Sequence, residues 1–493
     1  MTPMMKQWLL LVLAVAAAAD QPPATRALTL RECLERALAQ NLDVQIERLN
    51  PRIESWNIVG QQGVFDPAFT GSARYRDATE SLNPERQTAL GVSSLEAQQL
   101  RFDTGLNGLL PTGTRYSLAA FDTRDSGTLS SNFTFTGTAA ITLTQPLLQD
   151  FGLGANTAQI RIARQNRQIA EETLAQQVIN TISDVENAYY ELVFAIEDHK
   201  AKIEDWNRAK ALLAENRKRV ELGVLSPLDI TQAEAGVAER EEAVILTERA
   251  IKDQENALKR LIAQDVQEFR GTTLVPVDAP PVQMIELDAA RSIATALETR
   301  PDFRQSQHEV ERQGILVKFN RNQLWPQIDL EGSYGYNGIG GSFGQLTDSV
   351  GSGGAPAWSV GVVVTVPLGN RQARDNFHSA RLTQDQLLLS LKRLEQDIIV
   401  EVDNAVGRVE TNLKRVEATA AARRLAEESL RAEEEKLRAG TSTSFLVLQA
   451  QAQLAAARSA EIRARADYNQ SLVELARSEG TTLLKHQIAV EGD

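Results

Sequence analysis

From Ala155 to Leu222 the chain contains neither glycine nor proline, and no other feature limits its fold as tightly. Apolar residues recur through that stretch at spacings of three, four and seven: Ile160, Ala163, Ala170, Leu174, Val178, Ile182, Val185, Tyr189, Leu192, Ile196, Ile203, Trp206, Leu213 and Val220. Arg, Gln, Glu and Lys dominate the other side. The pattern predicts one unbroken amphipathic helix, which at 1.5 Å per residue would run about 100 Å. Propensity alone does not hold so long a helix in one shape; its apolar stripe needs partners of similar length. The chain supplies one, because Arg371 to Ala439 is a second such stretch, interrupted only by Gly407.

Composition narrows the surroundings of these rods. Charged residues make up 24% of the 493 residues, which excludes a bundle of membrane-spanning helices, and 5% aromatics suit long helices better than packed sandwiches. The net charge of −13, with no basic block, argues against a nucleic-acid partner. Cys33 is the single cysteine, so an intrachain disulfide and a cysteine-based metal site are both ruled out, and it reads as a half-buried thiol on a short helix. His199, His308, His378 and His486 are scattered, without metal-ligand spacing or a nucleophile motif. Gly338 to Gly354 is rich in Gly and Ser but lacks the Gly-Lys-Ser/Thr ending of a phosphate loop, and reads as a surface loop. No catalytic residue, metal or cofactor is expected, and the chain does not read as an enzyme.

In chain order, Met1 to Ala19 reads as a signal peptide: Lys6, the apolar run Trp8 to Ala16, then small residues Ala17-Ala18-Ala19. No cysteine stands at the expected cleavage point, so a lipid anchor is not expected there. No later segment is apolar for long enough to span a bilayer as a helix, so any span must be built from strands. Residues 28 to 62 predict a helix pair broken near Asn41. After Pro67 the pattern alternates, with Phe69, Gly71, Ala73 and Tyr75 on one face and Thr70, Ser72, Arg74 and Arg76 on the other. Asn132 to Gln145 alternates more cleanly, with Phe133, Phe135, Ala139, Ile141 and Leu143 against a row of threonines. Each strand has one apolar and one hydrophilic face.

The chain repeats itself. Ala37-Leu38 and Asp43 recur at one common offset as Ala296-Leu297 and Asp302, and Pro67 recurs at that offset as Pro326. Pro326 opens a matching strand (Ile328, Leu330, Gly332, Tyr334, Tyr336), and Trp358, Val360, Val362, Val364 and Val366 line one side of a fourth. The rods end at Gly223 and Gly440, each able to take the positive φ of a helix C-cap before Ser226-Pro227 or Thr443-Ser444 restarts a helix. The expected organisation is therefore a signal peptide (1–19), a first repeat (20–263), a proline-rich linker (264–283), a second repeat (284–478) and a tail (479–493). Each repeat holds short helices, strands, a long helix, a tip turn and a return helix.

These residues resemble the TolC-like outer-membrane efflux protein family, the outer membrane factors of tripartite export systems, over nearly the whole mature chain. The resemblance rests on Thr144-Gln145-Pro146-Leu147-Leu148 with Phe151-Gly152, on Leu324-Trp325-Pro326-Gln327-Ile328, and on Val366-Pro367-Leu368-Gly369-Asn370-Arg371. It rests also on the tips, Val220-Glu221-Leu222-Gly223 through Asp229 and Leu437-Arg438-Ala439-Gly440 through Ser444. The resemblance implies an α+β membrane protein: a homotrimer in which four strands per chain complete a twelve-stranded outer-membrane barrel, continued by a periplasmic α-helical barrel of coiled coils. It implies a channel passing solutes or proteins from an inner-membrane pump to the exterior, in efflux or type I secretion, with a periplasmic adaptor docked at the tips. Gly223, Ser226, Asp229, Gly440, Thr441 and Ser442 would form that docking site. Outer-membrane lipid would meet Phe69, Tyr75, Phe133, Phe135, Ile141, Tyr334, Tyr336 and Val362, while Thr142, Gln327 and Ser333 would face the lumen.

Physics supports a shared barrel, since four strands cannot close one and an open edge in lipid leaves unpaired backbone groups. The alternative is a periplasmic coiled-coil scaffold or adaptor whose sheet turns its polar face to water. The second tip departs from the family pattern: Leu437 and Ser442 stand where a Tyr and an Arg help lock the entrance, and Leu446 and Gln449 where aspartates form an acidic ring. Pro67 to Pro146 also spans 38 residues more than Pro326 to Pro367. Phe102, Thr104, Leu106 and Leu110 alternate there with Arg101, Asp103 and Asn107. The turn Pro111-Thr112-Gly113-Thr114 and a second alternation, Tyr116, Leu118 and Ala120, complete a β-hairpin before polar Asp122 to Ser131. The hairpin could extend the sheet above the membrane or widen the barrel to eighteen strands, and its short turn leans toward the second.

Overall fold

The computed structural model describes residues 24–128, 130–278, 287–353 and 355–489; the expected signal peptide lies outside them. The first half runs β1 (Ala24–Leu28), α1 (Leu30–Gln40), α2 (Leu42–Glu47), α3 (Leu49–Gln62), β2 (Ala68–Ser81), α4 (Pro84–Leu90), β3 (Ser94–Leu109), β4 (Arg115–Gly127) and β5 (Ser130–Pro146). It continues through α5 (Leu153–Asn156), α6 (Ala158–Glu221), α7 (Pro227–Ile262) and β6 (Thr272–Pro276). The second half runs α8 (Ala289–Thr299), α9 (Pro301–Asn322), β7 (Gln327–Gly340), α10 (Phe343–Gly351), β8 (Pro356–Thr365), α11 (Arg371–Arg438), α12 (Ser444–Glu479) and α13 (Thr482–His486). Among the described residues no helix is long and apolar enough to cross a membrane.

The contacts divide the chain into two compact units that each draw on both sequence halves. One comprises Met1–Asn50, Glu171–Arg304 and Lys392–Asp493. Among the described residues its core has three clusters. Leu174, Val178, Ile182, Val185, Tyr189 and Leu192 of α6 pack with Cys33, Leu34 and Ala37 of α1, with Leu258 and Ile262 of α7, and with Leu274 of β6. Ile398, Val402, Ala405 and Val409 of α11 pack with Ala464 and Tyr468 of α12 and Ala296 of α8. Leu212, Leu430, Leu437, Val447 and Leu454 form the third. Burial pushes the Cys33 thiol up to about 12, so it is inert packing.

Several expectations for this unit need correction. Residues 28 to 62 form three helices rather than a pair. Thr29 starts α1 with a reciprocal capping box to Glu32, and Asn41 both ends α1 and caps α2 through the Asp43 and Val44 amides. The linker contains β6, which pairs in parallel with β1. Tyr189 fastens that pair: its hydroxyl donates to Leu28 O at 3.4 Å and accepts the Asp278 N–H at 3.1 Å. The buried stripe of α6 follows the predicted apolar residues through Leu192, then passes to Asp205, Ala209, Leu212 and Asn216. Two of those four are polar, so apolar periodicity alone could not have traced it. Asp205 Oδ2 pairs with Arg240 Nε at 2.9 Å, an ion pair buried on both sides.

The other unit comprises Pro51–Ala170 and Gln305–Leu391. Its centre is one sheet of six antiparallel strands, in the order β2-β3-β4-β5-β7-β8. The inserted hairpin is β3 and β4, and it lies in the plane of the sheet rather than above it. β4 runs on to Gly127 through the polar residues expected to end it, because Asp122 to Asp125 pair in register with β5. Val366 falls just past β8. Residues 338 to 353 are not a loop: β7 extends to Gly340, and Ser342 caps α10 by accepting the Gln345 N–H at 3.3 Å. Leu346 of α10 is buried where a Cβ on Gly137, Gly338 or Gly340 would stand within about 3 Å of it, which is why those strand positions are glycine. The long helix expected from Ala155 is broken at Thr157. Asn156 donates to the carbonyls of Asp150 (2.7 Å) and Gly152 (2.9 Å) and turns the chain before α6 begins.

Candidate functional site

Two features keep apolar side chains in the open, the helical tips and one face of the sheet. At the first tip, α6 ends when the Val224 N–H reaches Arg219 O at 2.8 Å and the Gly223 N–H reaches Val220 O at 2.9 Å. This closure needs Gly223 at φ +73°. α11 ends the same way, with Thr441 N–H on Lys436 O at 2.9 Å and Gly440 at φ +75°. Ser226 restarts the chain as the N-cap of α7. Its Oγ accepts the Leu228 N–H at 3.3 Å, and Asp229 Oδ2 accepts the Ser226 N–H at 3.0 Å. Asp229 thus serves the cap. The Thr441 hydroxyl donates to Lys436 O at 3.2 Å, and the Ser442 hydroxyl donates to Glu433. Ser442 and then Lys436 hold the Glu433 carboxyl below its ordinary range.

Side chains that periodicity did not single out tie the two tips together. Asn216, fully buried, accepts from the Ser444 hydroxyl at 3.0 Å. Arg219 Nη1 donates to Leu437 O at 3.1 Å. The signal for Asn216 was its place four residues after Leu212, a polar residue in an otherwise apolar row. Leu437 turns inward beside Leu212 and Val447, while Leu446 and Gln449 lie on the exposed side of α12. Around the turns Leu222, Val224, Leu228 and Phe445 stay exposed.

Register fixes the faces of the sheet, because directly paired residues share a side. One row reads Phe69, Leu106, Leu118, Ile141, Tyr334 and Trp358 across all six strands. By the same alternation Tyr75, Phe133, Phe135, Tyr336 and Val362 fall on that apolar side. Thr142, Ser333 and Ser359 pair on the other, where Gln327 also lies. The apolar side is open: Trp358 is 73% and Val360 70% exposed. Among the described residues no group of His, Cys, Asp or Glu could hold a metal ion.

A family model described as outer membrane efflux protein matches residues 112–264 and 292–481, and the chain belongs to that family. The outer membrane efflux protein BepC of Brucella suis biovar 1 is 27% identical over 364 residues, 69% of this chain and 71% of that protein. The Campylobacter jejuni CmeC outer membrane channel shares the fold with a TM-score of 0.69 at 18% identity, over 92% of this chain and 86% of CmeC. The Vibrio cholerae outer membrane protein VceC does so at 0.67 and 17%, over 92% of this chain and 96% of VceC. The protein is thus an outer-membrane efflux protein of the TolC-like kind with a periplasmic helical tunnel, and its relatives and structural neighbours are channel proteins, not enzymes.

Proposed function

We propose that the chain is the outer-membrane conduit of a tripartite export assembly, passing solutes or proteins from an inner-membrane pump to the exterior. In this reading three copies close their sheets into one barrel. Outer-membrane lipid covers Phe69, Tyr75, Phe133, Phe135, Ile141, Tyr334, Tyr336 and Val362, and the threonine-rich side lines water. The tips, with Gly223, Ser226, Asp229, Gly440, Thr441 and Ser442, seat on a periplasmic adaptor. The halves 20–263 and 284–478 are the products of a duplication.

One observation carries the reading. The sheet keeps an apolar row open across all six strands, α10 covering only the Gly137–Gly338 end of that face, whereas the helical unit of the same chain buries its apolar stripes. An uncovered apolar sheet of this size has no stable place in water, and a bilayer supplies its cover. Membrane fractionation tests it. The protein should require detergent for release and migrate as a trimer that heating dissociates; a soluble periplasmic monomer would overturn it in favour of a scaffold or adaptor.

A further inference from the structure

The six-stranded sheet ends in two strands, β2 and β8, each with one free edge, and both edges are built to be paired. β8 reads Pro-Ala-Trp-Ser-Val-Gly-Val-Val-Val-Thr, with no charge and with proline only at its first residue. β2 is 14 residues long and contains no proline; of its charged residues Arg74, Arg76 and Glu80 lie on the hydrophilic side of the sheet and only Asp77 on the other. Free edges that must stay unpaired carry lysine, interior proline or bulges, or are kept short; these edges are long and regular.

Direction restricts what can pair with them. Neighbouring strands are antiparallel throughout, so with six strands β2 and β8 run in opposite senses. β5 and β8, each leading toward a long helix, run in the same sense, so those helices leave the sheet at the same end of the strands. Copies that all send their helices to the periplasm are related by an axis along the strands. The β2 edge of one copy then meets the β8 edge of the next, antiparallel, and an isologous β8–β8 seam would point one set of helices outward.

The hairpin is anchored as wall at its lower turn. The Gly152 N–H donates to Thr112 O at 3.0 Å, beside the point where β5 gives way to α5. Gly113, at φ +94°, has room for no side chain, since a Cβ there would stand 2.4 Å from Asp150 O.

We infer that the β2 and β8 edges of successive copies pair head to tail and that three copies enclose an eighteen-stranded wall, not a twelve-stranded one. This rests on the trimeric conduit proposed above. Barrel diameter grows roughly in proportion to strand number, so the mouth is about one and a half times as wide as twelve strands would give. The exit then places little steric limit on bulky cargo, and selection by size falls to the helical tunnel and its tips.

Disulfide mapping in membranes tests it, on the full chain carrying Cys33→Ala. Gly71→Cys with Thr104→Cys, and Ala120→Cys with Ala139→Cys, join register partners and should oxidise, as counted by loss of thiols reactive with a maleimide-polyethylene glycol. Gly71→Cys with Ala139→Cys should not, because three strand spacings, about 14 Å, separate them. If the hairpin stood outside the wall, β2 would lie against β5 and this pair would close, overturning the inference. Thr70→Cys combined in turn with Ser359→Cys, Gly361→Cys and Val363→Cys should, at one register, give covalent oligomers ending at the trimer. A series ending at the dimer overturns the count of eighteen. No intercopy bond, together with a monomer in mild detergent, overturns the trimeric conduit itself, whereas a closed Gly71–Ala139 pair within an intact trimer overturns only the strand number.

Discussion

The two compact units treat the same kinds of residue in opposite ways. In the helical unit Ile182, Val185 and Leu192 are fully enclosed and Tyr189 nearly so. In the sheet unit Phe69, Trp358, Val360 and Val362 stand out from the surface with most of their area free. The apolar residue types are the same, but the neighbour each surface is made for differs. A helix in water must bring its own cover, and α6 finds it in α1, α7 and β6 of the same polypeptide. The sheet brings only α10, over the Gly137–Gly338 end of that face, and the family places the sheet in the outer membrane. The tips are an intermediate case, with Leu437 and Val447 packed inside while Leu222, Val224 and Phe445 remain outside.

The largest effect expected from this contrast is in the helical core. Ile182→Ala removes a fully enclosed side chain and should lower stability by about 2–5 kcal/mol, read as the thermal transition of the helical signal. The equivalent truncation Val360→Ala in the sheet should change that transition little. Comparable losses from both would mean that the sheet face is packed as a protein core.

Charge insertion reverses the ranking of the two faces. Ile141→Arg near the bilayer midplane should cost roughly 2–4 kcal/mol and deplete assembled trimer in the outer membrane. Thr142→Arg, one residue along and on the other face, should assemble normally. Equal tolerance would remove the assignment of lipid and lumen sides.

A smaller effect is expected at the tips. Gly223→Val and Gly440→Val force a β-branched residue to positive φ, a strain of about 1–2 kcal/mol, with open space around each Cβ. The change is therefore confined to the turn. Trimer should insert while export, measured as cargo release or drug resistance, is lost; normal export by either variant would show that turn to be no docking element.

The smallest effect is a pH response confined to the helical unit. Burial would raise the pKa of Glu186, but His486 at 3.2 Å and Lys485 at 2.9 Å outweigh it and hold the carboxyl below its ordinary value. A carboxyl with a lower pKa folded than unfolded stabilises fully above its unfolded value and loses that contribution as pH falls through the folded one. Hydrogen exchange at residues 482–486 should therefore rise on acidification below the ordinary carboxylate range. Glu186→Gln should flatten that dependence; an unchanged profile would show that α13 is held by packing alone.

The sequence by itself determined the local elements and their periods. The absence of Gly and Pro drew the long helices to within a few residues, Gly223 and Gly440 marked their ends, and strict alternation assigned the sheet faces from Phe69 to Val362. Those properties are set by neighbours along the chain, so they can be read along it. What tertiary structure alone decided depends on partners distant in sequence. The pairing of β1 with β6 joins Ala24 to Thr272. Residues 343–351 form a helix because Leu346 finds a glycine-lined seat on strands β5 and β7. The buried row of α6 passes through Asp205 and Asn216 because Arg240 and Ser444 come to meet them. The hairpin joined the sheet because β2 and β5 each offered it a full-length edge, and an alternating strand carries no mark of which edge it will pair with. Backbone hydrogen bonding is blind to sequence, so only the folded chain could fix the number of strands.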